Sequence, residues 1–166
     1  GRVGPITPQR VRAWPETSYF MHPTHTQNIL AVSLYDLDPQ PNITLRYHVV
    51  RGTGTFGGSQ TAYATTGPNG EPAAATFTAG DQVWTLNILR VDNQGLGRSS
   101  YLPIIVVPSW WVNAASMEQL DEKKLTSMNF ETEEDAQATG QTLLDQEIEA
   151  AGNIVIMPTD VPTATA

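Results

Sequence analysis

Between residues 43 and 91, short alternating runs of β-branched and aromatic residues are separated by glycines at 52, 54, 57, 58, 67, 70 and 80. That is how antiparallel strands joined by tight turns are written. Leu30, Val32 and Leu34 alternate within residues 28–35 and predict a half-buried strand with those three on its inner face. The following DLDPQPN (36–42) reads as a loop, since Asp and Asn favour turns and neither proline can serve a ladder. Ile43, Leu45, Tyr47 and Val49 then form the apolar face of a second strand. In RGTGTFGGS (51–59) the glycines predict a bulge or sharp corner, with Phe56 plugging into the core. Short strands over 61–66 and 73–78 flank GPNGEP, where Asn69-Gly70 suits a reversal with positive φ. A strand over 82–91 sets Trp84, Leu86 and Ile88 on one face, residues 92–97 turn, and a last strand covers 101–107. About six or seven strands result, a number suited to an all-β, immunoglobulin-like antiparallel sandwich.

Either side of this core the pattern changes. Residues 1–27 contain Pro5, Pro8, Pro15 and Pro23, whose missing N–H donors suit an extended arm or edge segment and not a central strand. Trp14, Tyr19 and Phe20 give the arm aromatic anchors, for docking on another chain or for packing on its own domain. Beyond the core, Trp110 and Trp111 are adjacent, so both cannot face one strand's core; at least one is expected in a surface contact, unless both cover the base of the sandwich. A capping box of Ser116 and Gln119 predicts a short helix over 117–125. A longer one over 132–151 has Thr132 as its cap, acids at 133–135 facing the positive end of the helix dipole, Leu144 and Ile148 sharing a face, and Gly152 as its stop. Gly140 weakens that helix by ~1 kcal/mol relative to alanine. Ile154, Val155 and Ile156 have high β propensity and lead into the low-complexity PTDVPTATA. The expected organisation is an arm (1–27), a sandwich (28–108), a helical extension (109–152) and a strand with a Pro/Thr-rich tail (153–166).

Val49, Gly52, Gly54 and Phe56, followed by Thr66, Asn69, Gly70, Ala73 and Thr76, give the chain a further character. Over residues 29–107 it resembles the bacterial immunoglobulin-like domains of the intimin and invasin type, in which a V-T-F-x-V-x-G-x-G-x-L/F strand end is followed by a T-D-x-N-G-x-A turn and strand. The sequence departs from that pattern in lacking the glycine of the loop at 36–42, and in a long strand after Gly80. The matching positions are turn and core positions, so they bear on fold more than on activity. The resemblance implies an extracellular or cell-envelope protein in which the domain is a spacer, an adhesive module or an assembly unit.

Charge narrows the function classes. A formal net charge of -8 with nine Lys+Arg leaves no basic surface for tracking phosphates, which argues against nucleic acid. With no cysteine there is no disulfide, thiolate metal site or thiol nucleophile, and the compartment stays open. No charged-then-apolar leader opens the sequence, and the most apolar run, 101–112, is interrupted by Pro103 and Pro108 and falls short of the ~20 residues of a membrane span. RGTGTFGGS lacks the Gly-Lys-Ser/Thr ending of a phosphate loop. His22 and His25 form an H-x-x-H pair with no third ligand at a fixed spacing, and Asp36, Asp38 and Asn42 suit turn chemistry better than Ca²⁺. Ser18, Ser59 and Ser99 lack a nucleophile elbow. The expectation is a protein that is no enzyme and has no cofactor and no metal site. Its contacts would run through Trp14, Tyr19, Phe20, Trp110, Trp111, Ile154, Val155 and Ile156. The partners expected are copies of itself or envelope proteins, engaged by strand addition from residues 153–156 or the N-terminal arm. The alternatives are an adhesin-like module that binds protein or a carbohydrate stacked on Trp14, Trp110 or Trp111, and an accessory extracytoplasmic domain of a larger complex.

Overall fold

A computed structural model of the chain describes residues 9–111 and 128–155. The strands are β1 (Gln9–Pro15), β2 (Phe20–Met21), β3 (Thr26–Tyr35), β4 (Asp38–Pro39), β5 (Thr44–Arg51), β6 (Thr61–Thr65), β7 (Ala73–Thr78), β8 (Thr85–Asn93) and β9 (Leu96–Val106), followed by helix α1 (Glu133–Val155). They form a curled, open sheet in the order β4-β3-β1-β9-β8-β5-β6, with β7 on β3 and β2 on β9. The expected all-β class with a C-terminal helix is what the chain adopts.

The curl follows from where the apolar positions lie. Leu45, Tyr47 and Val49 alternate on β5 and are buried, as their spacing predicts, and they meet Leu89 and Val91 of β8, Leu102 and Ile104 of β9, and Ile29 and Phe77 of β3 and β7 in one cluster. Phe56 joins the two arms of the sheet. Its ring stands edge-on to Tyr47 at 5.7 Å and to Phe77 at 5.4 Å. Removing such side chains from water contributes about 1.5–3 kcal/mol each.

Four expectations need correction. Residues 9–15 of the arm are an integral strand: β1 pairs with β3 from Gln9↔Tyr35 to Pro15↔Ile29, and bridges in parallel to β9 at Arg10↔Arg98. Val11 and Ala13 supply the apolar face that makes this possible, and Pro15 falls at the strand's last position, where its missing donor matters least. On β3 the inner face is Gln27, Ile29, Ala31 and Ser33; Leu30 and Val32 point to the other side. GPNGEP is no hairpin turn, because β6 pairs with β5 and β7 with β3, so the segment crosses between the arms. Gly70 does take positive φ, at 83°. Helix α1 continues through Gly152 to Val155, so Ile154 and Val155 are helical and not a strand. Ile156, the tail beyond it and the expected helix over 117–125 lie outside the described residues.

The helix covers one end of the sheet's outer face. Thr132 Oγ1 caps it by accepting from the Asp135 N–H at 3.1 Å. Its buried stripe is Ala136, Gly140, Leu144, Glu147 and Ala151, which lies against Leu86, Ile88 and Ile105 together with Phe20 and Trp111. Ile148, expected beside Leu144, is instead exposed. Gly140 is the point of closest approach: a Cβ there would come within 2.6 Å of Leu86 Cδ1 and 2.9 Å of Pro103 Cβ. Glycine at this position lets the helix sit down on the sheet.

Candidate functional site

Where α1 meets the start of β8 and the end of β5, a cleft of about 390 Å³ remains, lined by Arg51, Thr53, Gln82, Trp84, Gln141 and Leu144 among others. That is inside the range of about 300–1,000 Å³ typical of small-ligand sites. Trp84 forms one wall. Its backbone is left-handed, with φ 56°, an unusual conformation for a bulky side chain, and its N–H donates to the Val106 carbonyl at 2.7 Å. Strain of this kind costs about 1–3 kcal/mol and collects at functional positions.

The ring of Trp84 is half-buried and meets the ring of Trp110 edge-on at 6.3 Å; Trp110 in turn meets Trp111 edge-on at 6.4 Å. The adjacent tryptophans divide their duties. Trp111 is buried and donates Nε1–H to Glu147 Oε1 at 3.1 Å, tying the loop after β9 to the helix. Trp110 is 63% exposed. The three rings stand at 70–71° to their neighbours, so they form a corner and not a flat platform.

The other sequence-derived contact residues are dispersed. Trp14 is half-buried on β1, whereas Tyr19 and Phe20 are core residues. Tyr19 sits in the main cluster and Phe20 under the helix, because the segment after β1 turns inward and runs beside β9. They cannot dock a partner on this folded chain. Ile154 and Val155 lie in the last turn of α1. Sequence reasoning placed Trp84 on the core face of a strand and overlooked Arg51, Gln82 and Gln141; their shared signal is only spatial.

Two other polar groupings have structural explanations. His22 and His25 stand edge-on at 5.6 Å beside a smaller recess, but His22 Nε2 donates to the Trp111 carbonyl at 3.1 Å. In that recess Gln27 accepts from the Thr17 and Ser18 N–H groups and donates to the Ser18 carbonyl. Among the described residues no three His, Asp or Glu side chains group as metal ligands. On the open end of the outer face, Asp92 is held by Arg46 Nε at 3.2 Å, Arg90 Nε at 3.1 Å and the Gln94 N–H at 2.7 Å. Beside it, His48 Nδ1 shares a hydrogen bond with Thr61 Oγ1 at 2.7 Å. Burial, then the charges of Arg90 and Arg46, push the His48 pKa below its ordinary value.

No protein-family profile and no curated protein matches the chain. Among solved structures, a conjugative transposon lipoprotein from Bacteroides eggerthii is similar at 18% identity over 58% of this chain and 96% of that one, with a TM-score of 0.37. Among the described residues no helix is long and apolar enough to cross a membrane.

Proposed function

We propose that the chain is a non-enzymatic, extracellular or cell-envelope structural module of immunoglobulin-like build, which works by docking a protein partner at the Trp84/Trp110 corner. The strand pairings support the build. With β1, β3 and β7 read as strands A, B and E, and β5, β8 and β9 as C, F and G, the A-B-E and C-F-G neighbours of an immunoglobulin-like sandwich are all present. The parallel bridge of β1 to β9 joins the first and last strands. This arrangement supports an immunoglobulin-like build, and the envelope setting is taken from the sequence resemblance to the intimin and invasin type.

The observation behind the docking reading is Trp110, a large exposed ring held in place by edge contacts to Trp84 and Trp111. Exposed, pre-positioned tryptophans dominate many interfaces because they bury much area at little entropic cost. Strand addition by residues 153–156 has lost its support, since the helix runs through Val155. The partner is a second copy or another envelope protein. A photo-crosslinking amino acid at the exposed neighbouring position 109, with Trp110 kept, should trap one discrete adduct in native extract. Recovery of the 18.1 kDa chain alone would remove the docking reading.

A second reading, carbohydrate binding, is favoured by one observation: the cleft beside the corner is lined by side-chain amides and hydroxyls as well as by an aromatic wall.

A further inference from the structure

We infer that this cleft binds a carboxylate-bearing saccharide, with Arg51 taking the carboxylate and Trp84 the face of a sugar ring; the inference rests on the carbohydrate reading of the site. Charge gives the first reason. The sequence has 17 acidic residues against nine basic ones, and Arg46, Arg90 and Arg98 each hold a carboxylate. Arg51 is exposed at the cleft and, among the described residues, pairs with none. Among the described residues no acidic side chain lines the cleft, although α1 beside it contains six acids and no base. Arg10 and Arg12 also lack a carboxylate partner among the described residues, but of these three guanidinium groups only that of Arg51 borders this cleft, and its planar fork matches a carboxylate.

The neutral lining points to a sugar. Hydroxyl-rich ligands need donors and acceptors interleaved, and Gln82, Gln141 and Thr53 provide them. Gln141 already gives Nε2–H to Asp145 Oδ1 at 2.9 Å, which fixes its amide and leaves the carbonyl oxygen as an acceptor. Trp84, fixed by its left-handed backbone and by Trp110, offers an aromatic surface to the C–H face of a pyranose, with Leu86 and Leu144 beneath. An acidic peptide suits the cleft less well. Extended peptides gain affinity by adding to a strand edge, but the floor here is β5 and β8, each already paired on both sides.

Calorimetric titration of the full chain with trigalacturonate, its methyl ester and a glutamate tripeptide tests this. The expected result is saturable binding of trigalacturonate, about tenfold weaker binding of the ester, and loss of that tenfold preference in Arg51→Gln, whose surface position leaves folding intact. Absence of saccharide binding, equal affinity for acid and ester, an unchanged preference in Arg51→Gln, or equal affinity for the glutamate peptide would each overturn the assignment. A protein adduct at position 109 alongside failed saccharide binding would remove the ligand and leave the docking reading standing.

Discussion

Replacing Gly140 by alanine tests how closely α1 sits on the sheet, and with it the geometry of the cleft. In an exposed helix the change gains about 1 kcal/mol, because glycine has the greater backbone entropy to lose. At 140 the new methyl carbon would stand 2.6 Å from Leu86 Cδ1 and 2.9 Å from Pro103 Cβ. Neither neighbour yields easily: Leu86 is buried under the helix and Pro103 is a ring fixed in β9. Overpacking of this sort costs about 1–3 kcal/mol. The net expectation is therefore destabilisation by about 1 kcal/mol, with the helix displaced outward. Gly152→Ala is the internal control, since it lies in the same helix and among the described residues nothing stands within 4 Å of its added carbon; it should gain up to ~1 kcal/mol. Urea unfolding of both variants, followed by the summed emission of the four tryptophans, gives the two midpoints. A Gly140→Ala protein as stabilised as Gly152→Ala would mean that the helix does not pack on Leu86 and Pro103 as described.

Phe56→Ala removes the ring that joins Tyr47 to Phe77, and should lower stability by about 3–5 kcal/mol in denaturant titration; a loss under 1 kcal/mol would place the ring outside the core. Trp110→Ala should shift stability by no more than about 0.5 kcal/mol, as expected of an exposed side chain, while abolishing partner capture. His48 has a folded pKa below its unfolded value of 6.5, so the unfolded chain takes up its proton first as pH falls. Stability from this group is intact above 6.5 and is lost as pH drops from there through the lowered folded value. His48→Gln should flatten that part of the stability profile, and an unchanged slope would assign it to other groups.

The central strands were legible because each has one decisive periodic face. Leu45, Tyr47 and Val49 could point inward only together, and Phe56 had glycines on either side that let the chain corner around it. Legibility failed where both faces are covered or where pairing is non-local. On β3, Ile29 and Ala31 on one side compete with Leu30 and Val32 on the other, and the choice of core face depends on what β1 and β7 bring to it. For β1 the prolines suggested a free arm, yet a proline at a strand's end is compatible with a full ladder upstream. At 154–155 β propensity pointed to a strand, but the helix already running from 133 extends through those residues, because adding a residue to an existing helix is far easier than starting one.

The candidate site was hidden for a related reason. Trp84 reads as the first apolar residue of an alternating strand, and Leu86 and Ile88 do continue that face into the cluster beneath α1. With a backbone φ of 56° just before β8 begins, Trp84 packs half-buried at the edge of that cluster and meets Trp110 edge-on. The helix does the rest. By docking through Gly140 and Leu144 it brings Gln141 to the end of β5, where Arg51 emerges from a bulged register, and so makes a cleft from three segments far apart in sequence. None of those residues carries a motif, and each has an ordinary structural role when taken singly. The site exists only because a closely seated helix covers part of the sheet face, so the Gly140 contact and ligand binding should weaken together.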